Sequence, residues 1–495
     1  MASIPRILHT AARVSTLRAV ISLALCVAPA SAGAQDAWQP SFLDTSCAAA
    51  DAPSGYPTTG GQQGELLRLP AVHDADSGQS AYLDPSVRPA DYVPDTYDAT
   101  AEAPADAQFY TMDELRSEMK KLAWTKGDFT IVPYGQLWGS AFYGSSRWAP
   151  GQFILYVPSP EGLTGEGEDS FVIDTRRTRL GMNITGPDVP LFGCAKSGAQ
   201  VEVDFMGFAG NVVGGSVVPN SENFAGVLMR HAFAELKTDN WRLLAGQTWD
   251  VISPLNPGML TYAVGWAGGN IGFRRMQIRG ERYLHFSDSC LVTVQGAMLQ
   301  DVVADLPNLA ENSNWPVLAG RVALSLGQAN NGVRPFTIGL SSHVGEQGWD
   351  FPDADDYRLP TWSVCADAKY IVTPRLGIQG EFFTGENLAT FLGGINQGIN
   401  PLTRRTIQST GGWIDLWYDW TPRLHSHLGC GIDNPLNTDV QTRGRTENSF
   451  LFGNVSFDVT KKLVLGLEVS HWKTEYQDLA PGETVLFEFI GSYGF

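Results

Sequence analysis

Charged residues make up only 17% of this 495-residue chain, cysteines number six, and the mean hydropathy is −0.10. A hydropathy that low excludes a bundle of transmembrane helices. The cysteines lie far apart and include no C-x-x-C or similar pair, so neither a zinc module nor a thiol redox site is present. Positive charge is scarce as well: 34 Lys and Arg stand against 52 Asp and Glu, a net −18 that argues against nucleic acid as a partner. A nucleophile elbow and a Ser-His-acid constellation are also missing, so the chain is read as non-enzymatic, with no cofactor or metal expected. What remains is 43% hydrophobic and 11% aromatic residues, too many for a disordered chain.

Residues 1–34 have the form of an export signal. Arg6, Arg13 and Arg18 precede an apolar run over 20–28, and Ala30, Ser31, Ala32, Gly33 and Ala34 supply a small-residue cleavage region before Gln35. Leu25 is bulky where a lipobox before Cys26 wants a small residue, which argues against lipid attachment. Export permits disulfides, and Cys194 in its Gly-containing loop is the favoured participant among five cysteines left after cleavage. Residues 35–110 hold 12 acids against Arg68 and Arg88 and show no apolar period, the composition of an extended periplasmic linker able to contact the cell wall. In 111–126 the spacing of Met112, Leu115, Met119 and Leu122 predicts a short amphipathic helix with a coiled-coil stripe.

From 127 to 495 period-2 segments follow one another. Thr178, Leu180, Met182 and Ile184 alternate with Arg177, Arg179, Gly181 and Asn183, while Met276, Ile278, Leu284 and Phe286 oppose Arg275, Gln277, Arg279 and Glu281. One face is apolar and the other polar, as in a sandwich facing its core or a barrel facing lipid. Three features choose the barrel. Thr373-Pro374-Arg375-Leu376, Thr421-Pro422-Arg423-Leu424 and Thr460-Lys461-Lys462-Leu463 repeat one tight turn, whereas 342–360, 385–412 and 431–448 read as long polar loops at the other end. Val485, Phe487, Phe489, Tyr493 and the terminal Phe495 share one face, the pattern of an outer-membrane assembly signal. Trp413, Trp417, Tyr418 and Trp420 cluster at a strand end, where an interfacial girdle belongs. The expected fold is therefore all-β, a transmembrane antiparallel β-barrel of about 16 strands, wide enough for an aqueous channel, with a short N-terminal periplasmic helix.

The cations concentrate between Phe171 and Phe286, where 11 Lys and Arg face 9 Asp and Glu. An Arg turned to lipid at mid-depth costs about 2–4 kcal/mol, so parity sends Arg177, Arg179, Arg275 and Arg279 into the lumen; Arg230 and Arg242 join them as candidate pore-lining, anion-binding residues. Arg176, Arg274 and Arg282 have the opposite parity and are secondary pore or interface candidates, expected more near an interface. Such a ladder suits carboxylates, which guanidinium grips bidentately, yet the same arginines can pair with Glu202, Asp204, Glu235, Asp250 and Glu281. Residues 253–270 are less polar than an exposed loop and either fold inward as a constriction or lie outside against a neighbouring protomer. His425 and His427 share a face without a third ligand nearby, and Asp353, Asp355 and Asp356 read as a solvated loop.

Four blocks resemble the DcaP-like outer-membrane porin family. Arg176-Arg177-Thr178-Arg179-Leu180-Gly181 is similar to its R-x-S-R-L-G, Met229-Arg230-His231-Ala232-Phe233 to L-R-H-A-Y, Gly246-Gln247-Thr248-Trp249 to G-Q-T-W, and Arg274-Arg275-Met276-Gln277-Ile278-Arg279 to R-Q-P-Q-I-R. The resemblance implies a homotrimer of 16-stranded barrels, an N-terminal periplasmic coiled coil and a narrow basic channel for dicarboxylate-type anions. Its matching arginines are Arg176, Arg179, Arg230, Arg274 and Arg279. Arg177 and Arg275 depart from the pattern, standing where the family has Gln, and the coiled coil shrinks to two heptads. The sequence thus predicts an outer-membrane porin, a passive channel for small anionic solutes. A sugar-selective porin and a structural envelope-anchoring barrel are the alternatives.

Overall fold

The computed structural model describes residues 123–161, 167–207, 211–213, 216–218, 225–302, 310–311, 313–330, 333–351 and 354–495. The export signal, the acidic linker and nearly all of the expected helix lie outside the described residues. Trp124–Lys126, assigned to the end of that helix, instead form a short strand against Phe129, Thr130 and Ile131.

Sixteen antiparallel strands close on themselves. They are β1 (Phe129–Gly144), β2 (Ser170–Asp174 and Arg179–Val189, interrupted by a turn), β3 (Ala195–Gly207), β4 (Gly226–Lys237), β5 (Trp241–Trp249), β6 (Arg274–Ser287), β7 (Cys290–Leu299) and β8 (Val317–Leu326). The second half comprises β9 (Phe336–Phe351), β10 (Ala354–Thr373), β11 (Leu376–Glu386), β12 (Gln408–Asp419), β13 (Leu424–Pro435), β14 (Arg445–Asp458), β15 (Leu463–Tyr476) and β16 (Leu479–Gly494). Each strand pairs with the next, and β1 pairs with β16 from Gln136 opposite Gly494 to Gly144 opposite Leu486. The seam is finished by two backbone bonds between Gly135 and Phe495, 3.2 and 3.0 Å long. A Cβ at position 135 would sit 2.3 Å from the Phe495 ring, so the glycine makes room for the terminal aromatic.

Closure removes sheet edges, and strand alternation then sorts the side chains. Leu137, Ile278, Leu340, Leu428, Leu451, Leu467, Phe487 and Phe489 are exposed on the outside, whereas Arg279, Gln295, Ser363, Asp415, Asn448 and Glu488 are buried on the inside. An apolar exterior around a polar interior is the pattern of an outer-membrane-type, multi-pass barrel.

The short connections 238–240, 288–289, 374–375, 420–423 and 459–462 gather at one end. In the three repeated turns a threonine hydroxyl accepts two backbone N–H bonds: Thr373 from Arg375 and Leu376, Thr421 from Arg423 and Leu424, Thr460 from Lys462 and Leu463. A side-chain acceptor two and three residues upstream replaces water at groups the ladder leaves unpaired. Longer segments lie at the other end, including 250–273, 387–407 and 436–444. Residues 342–360, expected as a loop, instead form most of the hairpin between β9 and β10, with register held from Phe336 opposite Tyr370 to Trp349 opposite Tyr357. The backbone of Asp355 and Asp356 belongs to β10 rather than to a loop.

The girdle is also narrower than expected. Tyr418 and Trp420 pack at 4.8 Å on the short-turn rim, and Trp420 is exposed. Trp413 is buried inside, donating to Glu381, and Trp417 shares its inward parity beneath Lys369. A contiguous aromatic run cannot place every ring outside, because alternation turns each second one inward. Cys194 is disulfide-bonded, while Cys290, Cys365 and Cys430 are free.

Candidate functional site

The lumen is not an empty tube. Residues 250–273 leave β5, cross the interior and return to β6, and nearly all of them are buried. Of the two placements open for 253–270, the structure has the inward one.

The wall grips this loop by its backbone. Glu381 of β11 accepts the Leu255 N–H at 2.6 Å, Asp415 of β12 accepts the Gly258 N–H at 3.0 Å, and Glu468 of β15 accepts the Leu260 N–H at 2.7 Å. The carbonyls are met by donors: Gln379 reaches Asn256 at 2.9 Å, Asn454 reaches Gly258 at 2.7 Å, and Arg177 reaches Leu260. Carboxylates for N–H groups and amides or guanidinium for carbonyls satisfy an extended backbone that would otherwise be buried at a cost of several kcal/mol. Apolar contacts add to this, with Leu255 and Met259 packed among Trp413, Phe450, Phe452 and Trp472. Further along, Asn448 donates to Ala267, and Gly269 takes φ +125° where a Cβ would strike the Gly412 carbonyl.

The arginines lie on the facing arc. Arg177, Arg179, Arg230, Arg242, Arg275 and Arg279 are all buried. Arg230 bonds Glu202 at 2.5 Å and Asp204 at 2.8 Å across β3 and β4. Arg242 is held by Glu235 and by Glu281 at 3.5 Å, and Arg279 pairs with the same Glu281 at 2.9 Å. Arg275 lies 3.3 Å from Asp301 and 3.5 Å from Asp250. The Arg177 guanidinium covers the Trp138 ring at 3.8 Å, and Arg179 acts on Glu202 from the neighbouring strand. All five carboxylates named from the sequence therefore lie within this network. Asp250, a loop residue, is buried enough that its carboxyl is pushed up to about 6, against the pull of Arg275 and the Phe273 N–H.

Two arginines expected near an interface are inside. Arg176 is buried in the turn that interrupts β2, folded back on Asp174 through its guanidinium and its backbone N–H. Arg274 is buried where the inserted loop rejoins β6, donating to the Tyr262 hydroxyl at 3.3 Å, with Trp249 and Phe273 about its guanidinium at 5.0 and 4.9 Å. Its Nε and Nη1 have no hydrogen-bond partner among the described residues. Parity fails for both because neither lies within a regular ladder: one sits in a turn, the other at a strand's first residue. Arg282 keeps its outward parity and is exposed.

Sequence reasoning missed the inner arginine Arg321, which pairs with Asp367 at 2.7 Å, and the loop-gripping side chains of β11 to β15. Inward parity was the available signal for these, but Asp367 is 46 residues from Arg321, and the amides held by Glu381, Asp415 and Glu468 are more than a hundred residues from their acceptors. His425 bonds Asp419 at 2.5 Å and His427 bonds Asp415 at 3.0 Å, so the two histidines serve separate carboxylates; no metal-binding cluster is found among the described residues.

The outer membrane channel DcaP of Acinetobacter baumannii has a similar structure, with a TM-score of 0.60 at 17% identity over 75% of this chain and 99% of that one. An anion-selective porin from Comamonas acidovorans matches with a TM-score of 0.47 at 12% identity over 74% of this chain and 100% of its own. OmpF of Salmonella typhi matches at 0.48 and 11% identity over 75% of this chain and 100% of its own. No family model and no curated protein matches the sequence. The structural likeness to the DcaP channel is a likeness of fold, and it agrees with the resemblance carried by the four sequence blocks.

Proposed function

We propose that the protein is an outer-membrane porin, a passive channel that admits small solutes and favours small anions such as dicarboxylates. A closed 16-stranded barrel with a loop folded across its lumen supports the channel part of this reading. The anion part rests on one observation: eight arginines are gathered inside β2 to β6 and their connections, and one of them, Arg274, keeps two N–H groups without a partner among the described residues. On the opposite arc Glu381, Asp415 and Glu468 are turned to backbone N–H groups of the inserted loop. A solute passing between the arcs would meet guanidinium on one side and carboxylates already engaged as acceptors on the other, and such asymmetry favours negative charge.

A sugar-selective channel would need aromatic rings facing the passage. Trp138, Trp413, Phe450 and Trp472 do line the wall, but they are buried, the last three against the inserted loop. That packing supports the anion reading over the sugar reading.

The test is the reversal potential of the detergent-extracted protein in a planar bilayer under a potassium chloride gradient. Anion selectivity, with conductance steps in groups of three for the trimer, is expected, and Arg177→Ala combined with Arg179→Ala should shift the potential towards cations. Cation selectivity in the unaltered protein would overturn the anion reading. Conductance blocked by sugars and indifferent to dicarboxylates would favour the sugar channel, and no conductance would favour a structural barrel.

A further inference from the structure

A second segment also enters the lumen, and its hold on the wall uses one of the arginines singled out as pore-lining. Residues 387–407 connect β11 to β12, and Leu388, Phe391 and Ile395 within them are buried. The Arg275 guanidinium carbon lies 3.7 Å from the Phe391 ring centroid, and the His343 ring is stacked on the same ring at 4.0 Å and 22°. Two groups that close to one centroid occupy opposite faces, so Phe391 is held between a guanidinium of β6 and an imidazole of β9.

Hydrogen bonds complete the grip. Arg275 Nη2 donates to the Thr390 carbonyl at 2.8 Å, and His343 is fixed by Ser363 at 2.7 Å and Thr361 at 3.0 Å; Thr361 in turn donates to the Asn387 carbonyl at 2.9 Å. The two inserted segments are also tied to each other, Gly272 N–H to Phe391 carbonyl at 2.8 Å and Ala267 N–H to Leu392 carbonyl at 2.9 Å. The backbone of 387–407 is strained: Asn387, Leu392, Ile395, Asn396 and Arg404 all have φ between +52° and +61°. Asparagine tolerates left-handed φ, but Leu392, Arg404 and above all β-branched Ile395 do not, so their conformation persists because its surroundings impose it.

We infer that residues 387–407 form a second jaw of the constriction, latched by Phe391 between Arg275 and His343, and that this jaw sets the largest solute admitted. Arg275 is then a positioning residue for the jaw, and Phe391 is the residue that determines size. The inference rests on the channel reading proposed above, and it separates Arg275 in role from Arg177 and Arg179.

The experiment compares unaltered protein, Phe391→Ala, Arg275→Gln and the double variant in bilayers and in vesicles challenged with neutral sugars of increasing size. Deuterium uptake of residues 387–407 is measured in parallel. Either single variant should raise conductance, admit sugars that the unaltered protein excludes and increase deuterium uptake over 387–407. The double variant should add little, because both changes release one latch. If Phe391→Ala fails to fold, Phe391→Leu keeps the volume while losing the aromatic faces and should show the same direction. An unchanged size limit in both single variants overturns the jaw, as does a shift of reversal potential in Arg275→Gln with size limit and uptake unchanged. A protein that conducts nothing refutes the channel reading, whereas the uptake measurement still decides whether the latch exists.

Discussion

At the scale of the residue, the interior is governed by the cost of leaving a charge without its partner. Arg230 is buried and binds two carboxylates that are themselves nearly inaccessible, Glu202 and Asp204. Removing the cation takes from both acids the guanidinium that ion-pairs with them, and breaking a buried pair costs about 3–5 kcal/mol. Arg230→Met should therefore lower the thermal midpoint of the detergent-solubilised barrel far more than Arg282→Met, whose side chain is exposed on the outside. Equal midpoints would mean that Glu202 and Asp204 do not depend on Arg230. The inward placement of Arg179 and Arg279 was legible in the sequence, because each sits within an alternating run. The burial of Arg176 and Arg274 was not, because a turn or a strand's first residue breaks the alternation on which parity depends.

At the scale of the element, local chemistry and long-range contact part company. The turns at Thr373, Thr421 and Thr460 were legible because acceptor and donors lie within three residues of one another. The inward course of 250–273 was left open because its anchors Glu381, Asp415 and Glu468 are 126, 157 and 208 residues from the amides they hold. No window of sequence contains both partners. The 342–360 segment was misjudged for a related reason: its long, largely polar hairpin carries no sustained apolar alternation to mark it as strand.

The same loop sets a pH dependence. The buried Asp250 carboxyl is raised to about 6, whereas in the unfolded chain it titrates near ~4. Between these values the folded barrel binds a proton that the unfolded chain does not, so this group makes the barrel more stable as pH falls from about 6 to about 4. Thermal midpoints of Asp250→Asn across that window should lack this contribution and rise less on acidification. Parallel curves for the two proteins would show that Asp250 is not held protonated there.

At the scale of the whole molecule, the decisive question is which solvent surrounds the apolar belt. Leu467 projects from β15 among Val455, Leu465, Val469 and Phe489, all exposed on the outer face, and is itself 61% exposed. In water such a side chain is indifferent to charge, since exposed substitutions usually fall within ~0.5 kcal/mol. In a bilayer the same position faces hydrocarbon, where an arginine near mid-depth costs about 2–4 kcal/mol. Leu402, 80% exposed in the 387–407 segment at the long-loop end, lies beyond the belt in either case and serves as the comparison. Leu467→Arg should destabilise the barrel refolded into lipid vesicles by that amount, while Leu402→Arg should leave its denaturant midpoint unchanged. Because the cost arises only where hydrocarbon replaces water, a neutral Leu467→Arg would mean that the belt does not face lipid, and the channel reading would fall with it.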